Sequence, residues 1–455
     1  MTTPPLVPNS TVIKYAQQAP RYTSYPTALK FSQVPANALN EASWKYGTDD
    51  LALYIHIPFC DTLCYYCGCN KTVTRHNDKA DDYLSYLEQE MLLKKQLYDG
   101  KKVVSLHLGG GSPSFLSSVQ QTYLMYLLRR HFTFSTQTEM SIELDPRHTT
   151  EAYLSLLAEL GYNRVSFGVQ DTDIEVQKAI NRVQSTSHIA NMVLEAKNKG
   201  FSSVNIDLIY GLPKQTLETF SKTLMAAKAM RPDRVALFSY AHLPERFAAQ
   251  RKIPHSTLPS AEMKAQLYQL AVDSFTEAGY DMIGLDHFAS QSDELSRAKN
   301  NGTLHRNFQG YTTLGQADSL GLGVSAISTI GDAYVQNPKK IKDYYHKIDN
   351  QLPLAEKGVL LTKDDLVRRS VIMSLMCNLS VNIKDIESRY ALCFNDYFES
   401  ELEALTPLAK DNLVHVGENE IRVPEAARIY IRAVCARFDA YLNKQYTLTG
   451  YSSAI

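Results

Sequence analysis

The chain predicts an α/β protein built as a partial (β/α)6 barrel, with an N-terminal arm and a mostly helical C-terminal domain. Three observations carry this. Six β-rich runs, at 51–57, 103–108, 139–144, 164–169, 203–209 and 234–239, alternate with helical patterns. Most of the runs are near-continuously apolar, as strands covered on both faces are. Strand–helix units in series imply parallel strands joined by right-handed crossovers, and six units fall short of a closed eightfold barrel.

Met1 to Pro26 is polar and proline-rich, which makes the start of the chain an arm, assigned to 1–36, and not a secretory signal. The barrel is assigned to 37–362. Tyr83, Leu84, Leu87 and Met91 share one helical face, as do Ile189, Met192, Val193 and Ala196 before Gly200. The stretch from about 286 to 340 is rich in Gly, Asn and Ser and reads as functional loops, Asp286–Ala289 and His305–Tyr311 among them. Leu366, Val367, Val371, Ile372, Leu375, Met376 and Leu379 then form a helical stripe that opens a domain assigned to 363–455. Within it, 413–416 and 421–423 flank Gly417–Glu420 as a hairpin, giving a winged-helix-like pattern. Residues 364–455 hold 10 Lys/Arg against 13 Asp/Glu, the wrong sign for a DNA-binding surface, so a packing or lid domain is expected.

Composition narrows the class. Apolar residues make up 44% and charged ones 21%, as in ordinary soluble globular proteins. The 47 Lys plus Arg nearly cancel the 48 Asp plus Glu, which excludes a global field that would draw nucleic acid or anionic membrane. No apolar run reaches the ~18 residues that span a bilayer. Seven cysteines, sparse and odd in number, argue against a disulfide framework. A reducing cytoplasm is the expected location, and no dimer seam stands out. The 28 tyrosines would suit a large planar or apolar ligand.

The strongest chemical signal is Cys60, Cys64 and Cys67, spaced C-x3-C-x2-C. Three thiolates so close can ligate three irons of a [4Fe–4S] cube and leave the fourth iron open to a small molecule. Structural zinc is the main alternative, because Cys69 supplies a fourth thiolate. Zinc sites, however, usually pair two short clusters across a dozen or more residues. Cys377, Cys393 and Cys435 sit in apolar helical patterns and read as buried packing.

The remaining signals fall at carboxyl ends of the predicted strands, where α/β sheets and barrels bind ligands. Gly109, Gly110 and Gly111, with Ser112 and Pro113, follow the second run, and glycines let backbone N–H groups approach a carboxylate or carbonyl. Glu143 ends the third run on the face of Glu139 and Ser141. It could hold ribose hydroxyls, and a solvated strand end explains it as well. Gln170 and Arg182 follow the fourth run. Asp207 lies inside the fifth, where a carboxylate without a partner is costly to bury, which favours a functional role.

Together these residues resemble the radical S-adenosylmethionine (SAM) enzymes, through the cysteine loop with Tyr66 before its third cysteine, the Gly109–Pro113 turn and the strand-borne Glu143. Among those enzymes the chain is similar to the oxygen-independent coproporphyrinogen III oxidase family. Pro20–Pro26, Cys67–Lys71, Gln170 followed by Arg182, Asn205–Gln215, Tyr240–Pro244 and His305–Tyr311 carry that likeness over almost the whole chain. Ser112 stands where Thr is also common, and it keeps the hydroxyl.

The resemblance implies a [4Fe–4S] cluster on Cys60, Cys64 and Cys67, with Cys69 a family marker and not a ligand, and two SAM molecules. By motif position, Tyr54, Gly110, Glu143 and Ile327 would serve the cluster-bound SAM. Tyr66, Gly111, Ser112, Gln170, Arg182, Asp207 and Ala241 would serve the second. Tyr54 and the three cysteines would be catalytic. The activity implied is anaerobic oxidative decarboxylation of two propionates of coproporphyrinogen III, giving protoporphyrinogen IX through a 5′-deoxyadenosyl radical. Its partners would be the porphyrinogen and an electron donor such as flavodoxin or ferredoxin, with no nucleic acid and no stable membrane insertion. Arg21 and Arg306 are candidate propionate contacts, or ordinary salt bridges. A haem-binding chaperone of the same superfamily is the nearest rival. Such relatives are expected to lack the Cys-Gly-Cys-Asn continuation and the long arm. A pure electron carrier would want four cluster ligands, and a zinc-stabilised DNA-binding regulator would want a basic C-terminal segment.

Overall fold

Six parallel strands form where the apolar runs stand: β1 (Asp50–Ile57), β2 (Lys102–Gly110), β3 (Thr133–Leu144), β4 (Arg164–Gln170), β5 (Ser203–Tyr210) and β6 (Arg234–Ser239). They pair in chain order. The structure, a computed structural model, describes residues 14, 15 and 19–442. The remainder of the expected arm and residues 443–455 lie outside the described residues.

Alternation along the strands sorts their side chains into two environments. On β1, Leu51, Leu53 and Ile55 are buried, while Ala52 and Tyr54 stay half-buried. Ser105 and His107 on β2, Glu143 on β3, Ser166 on β4 and Asp207 on β5 repeat the half-buried pattern. The outer face is therefore apolar core and the inner face is polar and hollow.

The outer face is covered by crossover helices α1 (Lys79–Leu93), α2 (Ser118–His131), α3 (Glu151–Glu159), α4 (Thr186–Asn198) and α5 (Leu217–Ala229), followed by α6 (Ala261–Glu277). The expected α1 face is buried, Tyr83, Leu84, Leu87 and Met91 all at 0% exposure. Ser117 and Thr216 close capping boxes that satisfy N–H groups at the starts of α2 and α5. Buried Glu90 ties α1 to the sheet: it pairs with Lys94 at 2.7 Å and accepts from Tyr344 Oη and Asn337 Nδ2 at 2.7 Å each and from the Gly323 N–H at 2.6 Å.

The sheet continues past six strands. β7 (Tyr280–Ile283) and β8 (His287–Ser290) add antiparallel beyond β6. On the other side β9 (Asp318–Leu322) pairs parallel with β1, and β10 (Ile327–Ile330), β11 (Ala333–Gln336) and β12 (Lys357–Leu360) follow antiparallel. The twelve strands run β12-β11-β10-β9-β1-β2-β3-β4-β5-β6-β8-β7 and leave the barrel open at its ends. Much of the segment expected as loops, 286–340, is thus sheet. Its glycines hide the strands: at Gly321 a Cβ would come within 2.5 Å of the Ile327 carbonyl, so only a glycine lets β9 and β10 close.

The arm crosses the open seam. Arg21 donates to the Ser239 carbonyl at the end of β6. Four residues later the Tyr25 carbonyl accepts from Tyr334 Oη on β11 at 3.3 Å, and Ser32 bridges to Gly358 on β12. The amino ends of the strands carry an ion network, in which Arg164 Nη2 lies 2.7 Å from Glu294 Oε1 and Arg234 Nε 2.8 Å from Asp293 Oδ2.

Beyond the barrel, α7 (Lys363–Asn378) buries the expected stripe, with Val367, Val371, Ile372, Leu375 and Met376 at 0% exposure. The expected hairpin forms between His415–Val416 and Glu420–Arg422, and Ser380–Asn382 adds a third strand. Cys377 and Cys435 are buried as expected, but Cys393 is exposed. It caps the four-residue helix Phe394–Tyr397 from outside, so it has no apolar face to join.

Candidate active site

The cysteine loop leaves β1 and is held at both ends. Phe59–Cys60 pairs in parallel with Thr72–Val73, and the Asn70 carbonyl meets His56 Nε2 at 2.9 Å. Its middle is pinned to the segment after β4, where Asn181 Nδ2 donates to the Leu63 carbonyl at 2.8 Å. Cys60, Cys64 and Cys67 all line one cavity of about 220 Å3 at the carboxyl ends of the strands.

Most of the strand-end residues reach the same cavity: Tyr66, Gly110, Gly111, Ser112, Glu143, Gln170, Arg182 and Asp207. Tyr54, Ala241 and Ile327 do not line it. Tyr54 sits one layer away, stacked on His107 with ring centres 5.9 Å apart and its hydroxyl 3.0 Å from His56 Nδ1. Ile327 is reached through Gly321, the β9 partner of Tyr54. Ala241 is tied to Tyr66, because Gln250 Nε2 donates to both carbonyls, at 3.1 and 2.9 Å.

The glycine turn answers first to the protein itself. A Cβ on Gly110, at φ +120°, would lie 2.7 Å from the His56 ring, and one on Gly111 2.7 Å from the Phe59 carbonyl. These glycines let β2 close against the exit of β1, where the Gly111 N–H donates to the Ile57 carbonyl at 2.8 Å. Gln170 holds a φ of +66° at a bulge in β4, a left-handed conformation that costs a non-glycine residue energy and that clusters at functional sites.

The electrostatics divide the cavity. Burial would raise Glu143, but the His107 hydrogen bond, with the Gly110 N–H and nearby His56, holds it below the usual carboxylate range. Asp207 is pushed up to about 7 by burial and by Glu143, against its hydrogen bonds from Ser166 and Asn205. Arg182 resists the lowering that burial imposes through Tyr66, Asp145 and Cys64; its Nη1 stands 2.9 Å from Asp145 Oδ2 and 3.6 Å from Cys64 Sγ. Burial pushes the Cys60 thiol up to about 12, whereas the hydrogen bond from Cys69, with Lys71 nearby, brings Cys67 down to about 6.

Arg147 and Asp145 are functional neighbours that the sequence reading leaves unassigned. Arg147 Nη2 bonds Asp145 Oδ2 at 2.6 Å and lies 3.8 Å from Cys64 Sγ. Their signal was the Leu144-Asp-Pro-Arg147 continuation of the Glu143 strand. Of the candidate propionate contacts, Arg306 pairs with Asp286 through Nη1 at 3.4 Å, its buried Nε having no partner within the protein, while Arg21 faces a backbone carbonyl.

The residues fit an iron–sulfur cluster with SAM. Among the described residues no three His, Cys, Asp or Glu side chains converge closely enough to hold a single ion, as zinc would need. A four-iron cube is larger, and its ligands stand apart around it. Beside the thiols, the buried Arg182 Nε has no partner within the protein, and a polar atom so placed calls for a polar ligand.

Comparison with known proteins agrees. Residues 54–227 match the model of the radical SAM superfamily, and residues 361–430 that of the HemN C-terminal domain. The oxygen-independent coproporphyrinogen III oxidase of Salmonella typhimurium is 49% identical, with 97% of each chain covered. That of Pseudomonas aeruginosa is 44% identical over 94% of this chain and 95% of its own. The solved structure of coproporphyrinogen III oxidase from Escherichia coli, a radical SAM enzyme, superposes with a TM-score of 0.92 at 49% identity, covering 96% of this chain and 100% of that one. With the cysteine loop, the strand-end cavity and near full-length identity in agreement, the chain belongs to the oxygen-independent coproporphyrinogen III oxidase family of radical SAM enzymes.

Proposed function

We propose that the protein converts two propionate side chains of coproporphyrinogen III to vinyl groups, giving protoporphyrinogen IX without oxygen. The observation that carries this reading is the meeting of Cys60, Cys64 and Cys67 with Glu143, Arg182 and Asp207 around one cavity. When bound, the cluster and SAM supply an electron and a 5′-deoxyadenosyl radical able to remove hydrogen from the carbon β to a propionate carboxylate. Carbon dioxide and one further electron then leave the substrate.

The chain's own residues bind and position. Cys60, Cys64 and Cys67 are the cluster ligands in this reading, leaving one iron to a SAM held by Tyr54, Gly110, Glu143 and Ile327. A second SAM takes Tyr66, Gly111, Ser112, Gln170, Arg182, Asp207 and Ala241. Glu143, held ionised, suits ribose hydroxyls or an ammonium group, and Arg182 suits a carboxylate. A reduced flavodoxin or ferredoxin would be the electron source, and the cytoplasm the site of action. No helix among the described residues is long and apolar enough to cross a membrane. Residues 1–36, 37–362 and 363–455 are assigned as arm, catalytic domain and covering domain.

The test is anaerobic turnover: reconstituted protein with reductant, SAM and coproporphyrinogen III should yield the divinyl product. Deoxyadenosine without decarboxylation would instead point to a haem-handling protein.

A further inference from the structure

Four cations gather over the carboxyl ends of β5 and β6 around one carboxylate. Arg21 of the arm donates to the Ser239 carbonyl. Lys264, in the first turn of α6, donates to the Tyr240 carbonyl at 3.3 Å. Its stem lies in the space left by Gly211, where a Cβ would come within 2.9 Å of Lys264 Cε. Arg432 of the C-terminal domain donates to the Pro20 carbonyl at 2.9 Å and to that of Ala19. Arg306 is paired with Asp286 through Nη1 and lies 4.4 Å from the Tyr311 ring centre. Asp286 also meets His287 at 2.8 Å, so its charge is already answered.

Lys264 has no such answer, and Arg21 feels the Asp286 charge without pairing with it. Among the described residues neither meets a carboxylate within ion-pair distance, and both bond only to backbone carbonyls. The repulsion is visible at Lys264 and at Arg432: burial, with Arg432 and Arg21 adding to it, pushes Lys264 down to about 8, and burial with Arg21 brings Arg432 to about 9. Desolvated like charges of this kind are costly unless an anion joins them. Both side chains remain half-buried, not sealed. Phe238, the residue before Ser239, lines the cysteine cavity, so the cations stand at the edge of the reaction space.

We propose that Arg21 and Lys264 form a carboxylate-binding site at the carboxyl end of β6, which takes a propionate of the porphyrinogen, while Arg306 serves as the partner of Asp286. This rests on the proposed function. The methionine carboxylate of SAM has the same chemistry, and the test separates the two sources.

Coproporphyrin III, a fluorescent tetracarboxylate, is titrated anaerobically into the cluster-loaded protein and into its Arg21→Gln and Lys264→Gln variants, with SAM titrated in parallel. The porphyrin Kd should rise at least about tenfold in each variant, and the SAM Kd should change less than about twofold. Arg21→Lys, which keeps the charge, should retain most of the porphyrin affinity. Loss of one repelling cation should raise the melting temperature of ligand-free Lys264→Gln, which separates lost binding from lost folding. Unchanged porphyrin affinity in both Gln variants overturns the site. Weakened SAM with unchanged porphyrin affinity overturns the propionate assignment in favour of SAM. If the wild type binds porphyrin through these residues yet never decarboxylates it, the site stands and the proposed function fails.

Discussion

Arg182 and Asp145 form a buried ion pair, Nη1 to Oδ2 at 2.9 Å, whose guanidinium also lies 3.6 Å from the Cys64 sulfur. Burial alone would raise Asp145; Arg182 and Arg147 bring it down to about 2 instead. The pair joins the end of β3 to the segment after β4 and places positive charge beside the thiol loop.

The four cysteines of that loop should separate cleanly. Cys60→Ser, Cys64→Ser and Cys67→Ser should each lose the cluster, whereas Cys69→Ser should retain it. Iron and sulfide content after anaerobic reconstitution reads the outcome, and full iron in any of the first three contradicts the ligand assignment.

Asp207→Asn should stabilise the ligand-free protein in a pH-dependent way. The carboxyl titrates at about 7 in the fold against an ordinary 3.8. Between those values the unfolded chain gives up its proton while the folded one keeps it, so stability falls as pH rises through that window. The Asn variant escapes this, gaining about 1–3 kcal/mol near pH 8 and almost nothing near pH 4. Denaturant melts at both pH values test it, and the same variant should bind SAM more weakly.

Gly110→Ala and Gly100→Ala should differ although both glycines have positive φ. At Gly100, φ +78°, nothing lies within 4 Å of an added Cβ. Strain alone should cost about 1 kcal/mol there. At Gly110 the Cβ meets the His56 ring at 2.7 Å, so the loss should reach about 2–4 kcal/mol. Equal thermal shifts would contradict this packing account of the turn.

Glu90→Gln should cost about 3 kcal/mol, because Lys94 would then be buried beside a neutral amide. The variant that still folds should bind iron normally, since neither Glu90, on α1, nor its partners Lys94, Gly323, Asn337 and Tyr344 line the cysteine cavity. Urea unfolding monitored by circular dichroism measures the loss.

The sequence made the six parallel strands and the α1 face legible because their apolar patterns are set by burial on one side. Eleven of the proposed site residues and ligands, from Cys60 to Asp207, come together in the cavity, since each lies on the carboxyl half of a strand or in the segment after one, and strand ends converge. Asp145 and His107 stayed hidden: their roles depend on Arg182, in the segment after β4, and on Glu143, on a different strand from His107. β9 stayed hidden for a different reason. Asp318–Leu322 is wholly buried yet polar and glycine-containing, because Gly321 must leave room for Ile327. Arg21 gave no clue that it would reach β6, since only the path of the arm across the open seam brings it there.

In the proposed reaction a radical formed at the cysteine cavity takes hydrogen from the substrate propionate. Coproporphyrinogen III deuterated at the propionate carbons β to the carboxylates tests it most directly, by mass analysis of the 5′-deoxyadenosine formed in anaerobic turnover. Deuterium should appear in the deoxyadenosine in step with the vinyl groups produced. Unlabelled deoxyadenosine, with the propionates intact, would contradict it.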